Sequence, residues 1–136
     1  MGLLGPGQVD MVVSKSLDAA SLAQRILANN VANVNTPYFK RSEIVFEDQL
    51  QAALNTRSSS MTLTHPKHIG DVPQIRLEDV NAGVVTRHDT NLRNDRNNVD
   101  VEQEMAKLAK VNLVYRSLLT YQKARMDMIN TVIDGR

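Results

Sequence analysis

The sequence predicts a mainly α-helical protein. Long N- and C-terminal helices pair as an antiparallel coiled coil, with a small irregular or β-containing insert between them. Three observations predict this. Positions from Val101 to Ile133, apolar except for Asn112 and Gln122, step four, three, four, three without a break, and a matching stripe runs through residues 9–35. The stretch between them, residues 40–98, is interrupted throughout by Gly, Pro, Asn and Ser. Residues 1–39 and 99–136 are therefore read as the terminal-helix unit, and residues 40–98 as the insert.

The first element is a helix from about Val9 to Asn35. Val13, Leu17, Ala20, Gln24, Leu27, Val31 and Val34 fall on one stripe, and Gln24 is its single polar member. Leu22, Ala23 and Ile26 widen that stripe enough for more than one neighbour. Gly5-Pro6-Gly7 reads as a turning lead-in, and Thr36-Pro37 as the stop, because proline drives the residue before it out of the α region.

In the insert, Glu47 to Leu54 reads as a short helix. Met61-Thr62-Leu63-Thr64 and Gly83-Val84-Val85-Thr86 read as candidate strands. Arg87 to Asn98, rich in Asn, Asp and Arg, reads as an exposed loop.

The last element runs from about Asp100 to Ile133. Val101, Met105, Leu108, Asn112, Tyr115, Leu119, Gln122, Met126, Ile129 and Ile133 form the seam, and Val111, Val114, Leu118, Tyr121 and Met128 form a second, adjacent stripe. Asp100 is placed to cap the helix, with Glu102 and Glu104 in the first turn, where the helix dipole favours them. Lys107 lies off both stripes and is expected to be dispensable to packing. Asn112 and Gln122 either fix the register of the seam or sit at its edge. A helix this long, roughly 50 Å, outreaches its N-terminal partner by about two turns. Apolar surface is thereby left for other molecules.

Composition narrows the function. Sixteen basic residues oppose fifteen acidic ones, so no bulk field draws nucleic acid or anionic lipid. Aromatic residues make up only 4%, and there is no cysteine for a disulfide or thiolate metal site. The N-terminal MGLLGPGQVDMVV lacks the basic region and apolar core of a cleaved signal peptide, and no run is long enough to span a membrane. His65-Pro66-Lys67-His68 and His88-Asp89 bring imidazoles near one another in sequence. No further ligand is spaced to complete a zinc site, so they read as loop histidines. Ser58-Ser59-Ser60 lacks the glycines of a nucleophile elbow, and Glu102 and Glu104 point to different helix faces. Catalytic, cofactor-binding and metal-ligating residues are therefore expected to be absent.

The run Leu17 to Pro37 contains Ala28-Asn29-Asn30-Val31-Ala32-Asn33, then Thr36-Pro37 and the aromatic–lysine pair Phe39-Lys40. This element resembles the N-terminal signature of the flagellar rod and hook protein family. Asn97-Asn98-Val99-Asp100-Val101-Glu102-Gln103-Glu104-Met105 and Asn112-Leu113-Val114-Tyr115 also resemble that family. The resemblance covers both terminal segments, about half the chain, and is loose in the middle at Leu63 to Ile69. Two departures stand out: Tyr38 follows Thr36-Pro37 where the family commonly has Gly, and Arg96 replaces a frequent Gly before Asn97-Asn98. The turns there must form without a residue that adopts positive φ freely.

The resemblance implies a non-enzymatic subunit without cofactor, exported unfolded through the flagellar type III apparatus. It implies assembly near the base of the rod with copies of itself, with other proximal rod proteins, and beside the export gate. A needle or inner-rod subunit of a secretion apparatus is the alternative, and a histidine-based metal module a more remote one. Asn29, Asn30, Asn33, Thr36 and Pro37 form the candidate assembly motif. Its asparagines are expected both to close the helix and to bridge neighbouring subunits. The candidate seam is Leu17, Leu27, Val31, Met105, Leu108, Tyr115, Leu119, Met126 and Ile129.

Overall fold

A computed structural model describes residues 6–56, 76–88 and 96–135. Helix α1 spans Pro6–Ala32, strand β1 Ser42–Val45, helix α2 Glu47–Thr56, a single 3₁₀ turn Leu77–Asp79, strand β2 Gly83–Thr86 and helix α3 Val101–Asp134. α1 and α3 lie antiparallel. Asp10 meets Arg125 at one end, Gln24 meets Asn112 midway, and Asn30 meets Glu104 at the other end. The long helices and the two-stranded insert are as the sequence predicts.

The ends of α1 differ from expectation. The helix starts at Pro6 itself, not after it, since a proline at the first helical position loses no hydrogen bond and brings a preset φ. It ends at Ala32, four residues before Thr36. The last turns tighten: Val34 N–H donates to Val31 O, and Thr36 N–H donates to Asn33 O. At the far end of the molecule α3 runs without a break to Asp134. Gly135 closes it at φ 66, with its N–H donating to the Thr131 carbonyl, a left-handed cap that suits glycine. Asp100 caps the start of α3 as expected, accepting from the N–H groups of Glu102 and Gln103.

The insert folds back onto α1. β1 and β2 pair antiparallel, with Ser42 opposite Thr86 and Val45 opposite Gly83. β2 is the strand expected at residues 83–86. Its partner is Ser42–Val45, whereas the other strand read from sequence, Met61–Thr64, falls outside the described residues. Phe46, Ala53, Leu77 and Val80 are buried against Ala19, with Met11, Val12, Ile44 and Leu50 packed around them. Full burial of Phe46, Leu77 and Val80 favours this arrangement by roughly 2 kcal/mol each. Lys15 pins the closure: its ammonium donates to the carbonyls of Glu78 at 2.8 Å and Val80 at 2.7 Å. The insert thus packs on Met11, Val12, Lys15 and Ala19, and α1 lies between two partners.

Candidate functional site: the helix junction and the exposed flanks of α3

Where the insert leaves α1 and returns to α3, asparagine side chains replace the missing secondary-structure hydrogen bonds. Asn30 is fully buried. Its Oδ1 accepts from Ser42 N–H, and its Nδ2 donates to Ser42 O and to Glu104 Oε2, both at 2.8 Å. One side chain thereby joins α1, β1 and α3. Asn97, also fully buried, donates from Nδ2 to the carbonyls of Asn33, Val34 and Thr36, just beyond the end of α1. Its Oδ1 accepts from Val99 N–H. Asn98 accepts from Arg41 N–H and donates to Arg87 O, extending the strand ladder by a side chain. Asn97 and Asn98 are therefore not part of an exposed loop. Local composition suggested one, yet their amides serve two chain segments more than 50 residues away.

Two turns beside this junction are strained. Tyr38 stands at φ 63 and Arg96 at φ 60, the positions where the sequence lacks glycine. Lys40 Nζ donates to Arg96 O at 2.8 Å, and Asn97 holds Thr36, so each turn braces the other.

Charges are concentrated here as well. Glu104, 1% exposed, is held by Asn30, by Lys107 at 3.3 Å and by Arg41 at 3.8 Å. Glu43 of β1 accepts from Arg87 Nε at 2.8 Å, and also lies against Arg41 at 2.7 Å and Lys107 at 3.4 Å. The bond from Arg87 lowers the Glu43 pKa below its ordinary value of 4.5. Partial burial opposes that shift, and Arg41 and Lys107 reinforce it. Lying off the apolar stripes thus places Lys107 beside two carboxylates, one of them buried.

The candidate assembly motif divides in the structure. Asn33 closes α1, donating to Asn29 O and accepting from Thr36 Oγ1. Asn29, Thr36 and Pro37 are exposed, and the Asn29 side chain makes no hydrogen bond among the described residues. Asn30 is corrected. Expected to bridge subunits, it is instead enclosed within one chain, where its amide bonds to Ser42 and Glu104 leave nothing facing outward.

Of the candidate seam, Leu27 is buried, and Leu17, Val31, Leu108 and Tyr115 are half-buried between α1 and α3. Met105, Leu119, Met126 and Ile129 are exposed. The column of α3 that faces α1 runs Glu104, Leu108, Val111, Tyr115, Leu118, Gln122, Arg125. It is turned about 50° from the seam read in the sequence. The apolar arc of α3 is wider than one helix can cover. The polar contacts Asn30–Glu104 and Asp10–Arg125, which belong to a single column, decide where α1 settles. Asn112 stands at the edge of that strip and still meets Gln24, whose Nε2 donates to Asn112 Oδ1 at 3.0 Å. Apolar side chains along α3 therefore remain uncovered on either side of α1.

His65 and His68 lie outside the described residues, and His88 is exposed. Among the described residues, no helix is long and apolar enough to cross a membrane.

A hairpin of terminal helices, an asparagine-clasped junction and an uncovered apolar helix describe a subunit made to pack against others. The profile of the family described as Flagella basal body rod protein matches residues 15–40, which hold the second half of α1 and the Asn–Thr-Pro turn. The class is thus a flagellar basal-body rod protein. The chain is 36% identical to flagellar basal body rod protein FlgB of Borrelia hermsii over 120 residues, covering 86% of this chain and 89% of the relative. It is 30% identical to FlgB of Aquifex aeolicus over 114 residues, 82% of each chain. With FlgB of Bacillus subtilis it shares 27% identity over 123 residues, 90% of this chain and 91% of that one. The chain belongs to the FlgB family of flagellar basal body rod proteins.

Proposed function

We propose that this chain is a structural, non-catalytic subunit that polymerises into the proximal rod, the part that transmits torque and encloses the export channel. The segments 1–39 and 99–136 would supply the wall, and residues 40–98 an appendage on α1. The observation that carries this reading is the uncovered apolar length of α3, including Leu119, Met126 and Ile129, beside an α1 that is covered on two faces. Apolar surface of that extent marks a contact. Its partners are read as copies of itself, other proximal rod proteins and the export gate. Export in an unfolded state fits a fold that depends on contacts between distant segments.

The reading is tested by Leu119→Asp with Lys110→Asp as control. Leu119 is exposed in one chain and is expected to be buried in the rod, where an unpaired carboxylate is strongly disfavoured. Secretion of the subunit should persist while intact basal bodies disappear. Lys110→Asp, on the polar side of α3, should build both. Normal rods from the Leu119 variant would refute α3 as the assembly surface.

A further inference from the structure

Charge is balanced over the whole chain but not along α3. From Met105 to Met126 the helix carries Lys107, Lys110, Arg116, Lys123 and Arg125 and no acidic residue. Lys107 is held by Glu43 and Glu104, and Arg125 by Asp10. Lys110, Arg116 and Lys123 are exposed and make no ion pair among the described residues.

Helix geometry sets where these three cations stand. Successive residues turn by about 100°, so the face of α3 directly opposite α1 is formed by Ala106, Ala109, Leu113, Ser117, Thr120 and Ala124, all exposed. Lys110 borders that face on one side, and Arg116 and Lys123 border it on the other. The face is about 27 Å long, and Leu113, 67% exposed, stands near its middle. Its two hydroxyls are already satisfied: Ser117 Oγ donates to Leu113 O and Thr120 Oγ1 to Arg116 O, both at 2.9 Å. Taking this face out of water therefore strands no hydroxyl donor.

We propose that this outward face is a docking surface for an anionic lipid bilayer, with α3 lying in the plane of the interface. Leu113 and the alanines enter the headgroup boundary, while the three cations reach lipid phosphates over their apolar stems. α1, with the described part of the insert packed on it, stands on the far side of α3 and does not intervene. The nearest exposed carboxylates on the helix, Glu102 and Asp127, lie beyond the two ends of the face. A nucleic acid would match the cations but offer nothing to Leu113. Docking would hold an unassembled copy at the membrane surface, and it uses a different side of α3 from Leu119 and Met126.

The test is cosedimentation of the purified full-length chain, kept dilute, with phosphatidylcholine vesicles containing about 30 mol % phosphatidylglycerol, beside vesicles of phosphatidylcholine alone. Binding should be at least about tenfold tighter to the anionic vesicles and should weaken as salt rises. The triple variant Lys110→Gln, Arg116→Gln, Lys123→Gln should lose at least about tenfold in that affinity, with circular dichroism confirming wild-type helix content. The pair Lys110→Gln, Lys123→Gln serves if the triple variant unfolds. Leu113→Gln, which leaves the charge unchanged, should weaken binding about threefold or more. Arg25→Gln, at an exposed cation of α1, should leave it unchanged. Absent binding, equal binding to both vesicle types, or full affinity in the triple variant or in Leu113→Gln would overturn the proposal. Tighter binding to a duplex oligonucleotide than to the anionic vesicles would overturn it as well. Lys110→Asp should keep building rods while losing part of its vesicle affinity, so the docking and rod-subunit readings can fail separately.

Discussion

Glu104 accepts a 2.8 Å hydrogen bond from Asn30, 74 positions earlier, and both side chains are shut away from water. A buried carboxylate is tolerated only while its hydrogen bonds and counter-charges remain. Here the amide that satisfies it also holds β1 through Ser42. The register of α1 against α3 and the attachment of the insert thus depend on one side chain.

Asn30→Ala is expected to destabilise the fold by about 3 kcal/mol, since it breaks three hydrogen bonds and strips a buried charge of its closest donor. Chemical denaturation measures the loss. A double-mutant cycle with Glu104→Ala should give a coupling of about 1–2 kcal/mol. Additivity of the two substitutions would mean that the contact contributes nothing.

Tyr38→Gly and Arg96→Gly should each stabilise the chain by about 0.5–1 kcal/mol, because a left-handed backbone is costly for any residue with a Cβ. Tyr38 is 71% exposed, so its side chain leaves little packing behind. Arg96 holds Lys40 through a backbone carbonyl that glycine retains. A fall in Tm for both variants would show that these side chains contribute more than the strain they impose.

Gln122 Oε1 is buried without a hydrogen-bond partner among the described residues, on the column of α3 that faces α1. Gln122→Leu removes an unsatisfied acceptor and should raise stability by about 1 kcal/mol in equilibrium unfolding. A decrease would mean that the amide fixes the register of the helix pair, the other role its position on the stripe suggests.

Glu43 has its pKa lowered in the folded chain, chiefly by the bond from Arg87. A carboxyl with a depressed folded pKa contributes stability that is fully present above its unfolded value, near 4.5, and is lost as pH falls through the folded one. Unfolding free energy should therefore decline below about pH 4.5, and Glu43→Gln should flatten that decline while lowering stability at neutral pH. The effect will be modest, since Arg87 is largely solvated. Identical acid limbs in the two proteins would rule Glu43 out as a contributor.

The repeat of apolar residues along α1 and α3, the Asp100 cap, the short helix after Phe46 and the strand at residues 83–86 were legible in the sequence, because each depends on local spacing or on a residue's own backbone preference. The glycine-free turns at Tyr38 and Arg96 were legible too, by comparison with the family pattern. What only the tertiary structure decided was which part of a wide apolar arc becomes the seam. Leu108 and Tyr115 lie within it while Leu119 and Met126 stand outside, because Asn30–Glu104 and Asp10–Arg125 fix the rotation of α3 and no local pattern records contacts across so many residues. The same holds for Asn97 and Asn98, polar residues in a polar stretch that are buried against carbonyls just beyond the ends of α1 and β2. A hydrogen bond between distant segments leaves no periodicity in the chain, and that is why the junction had to be seen folded.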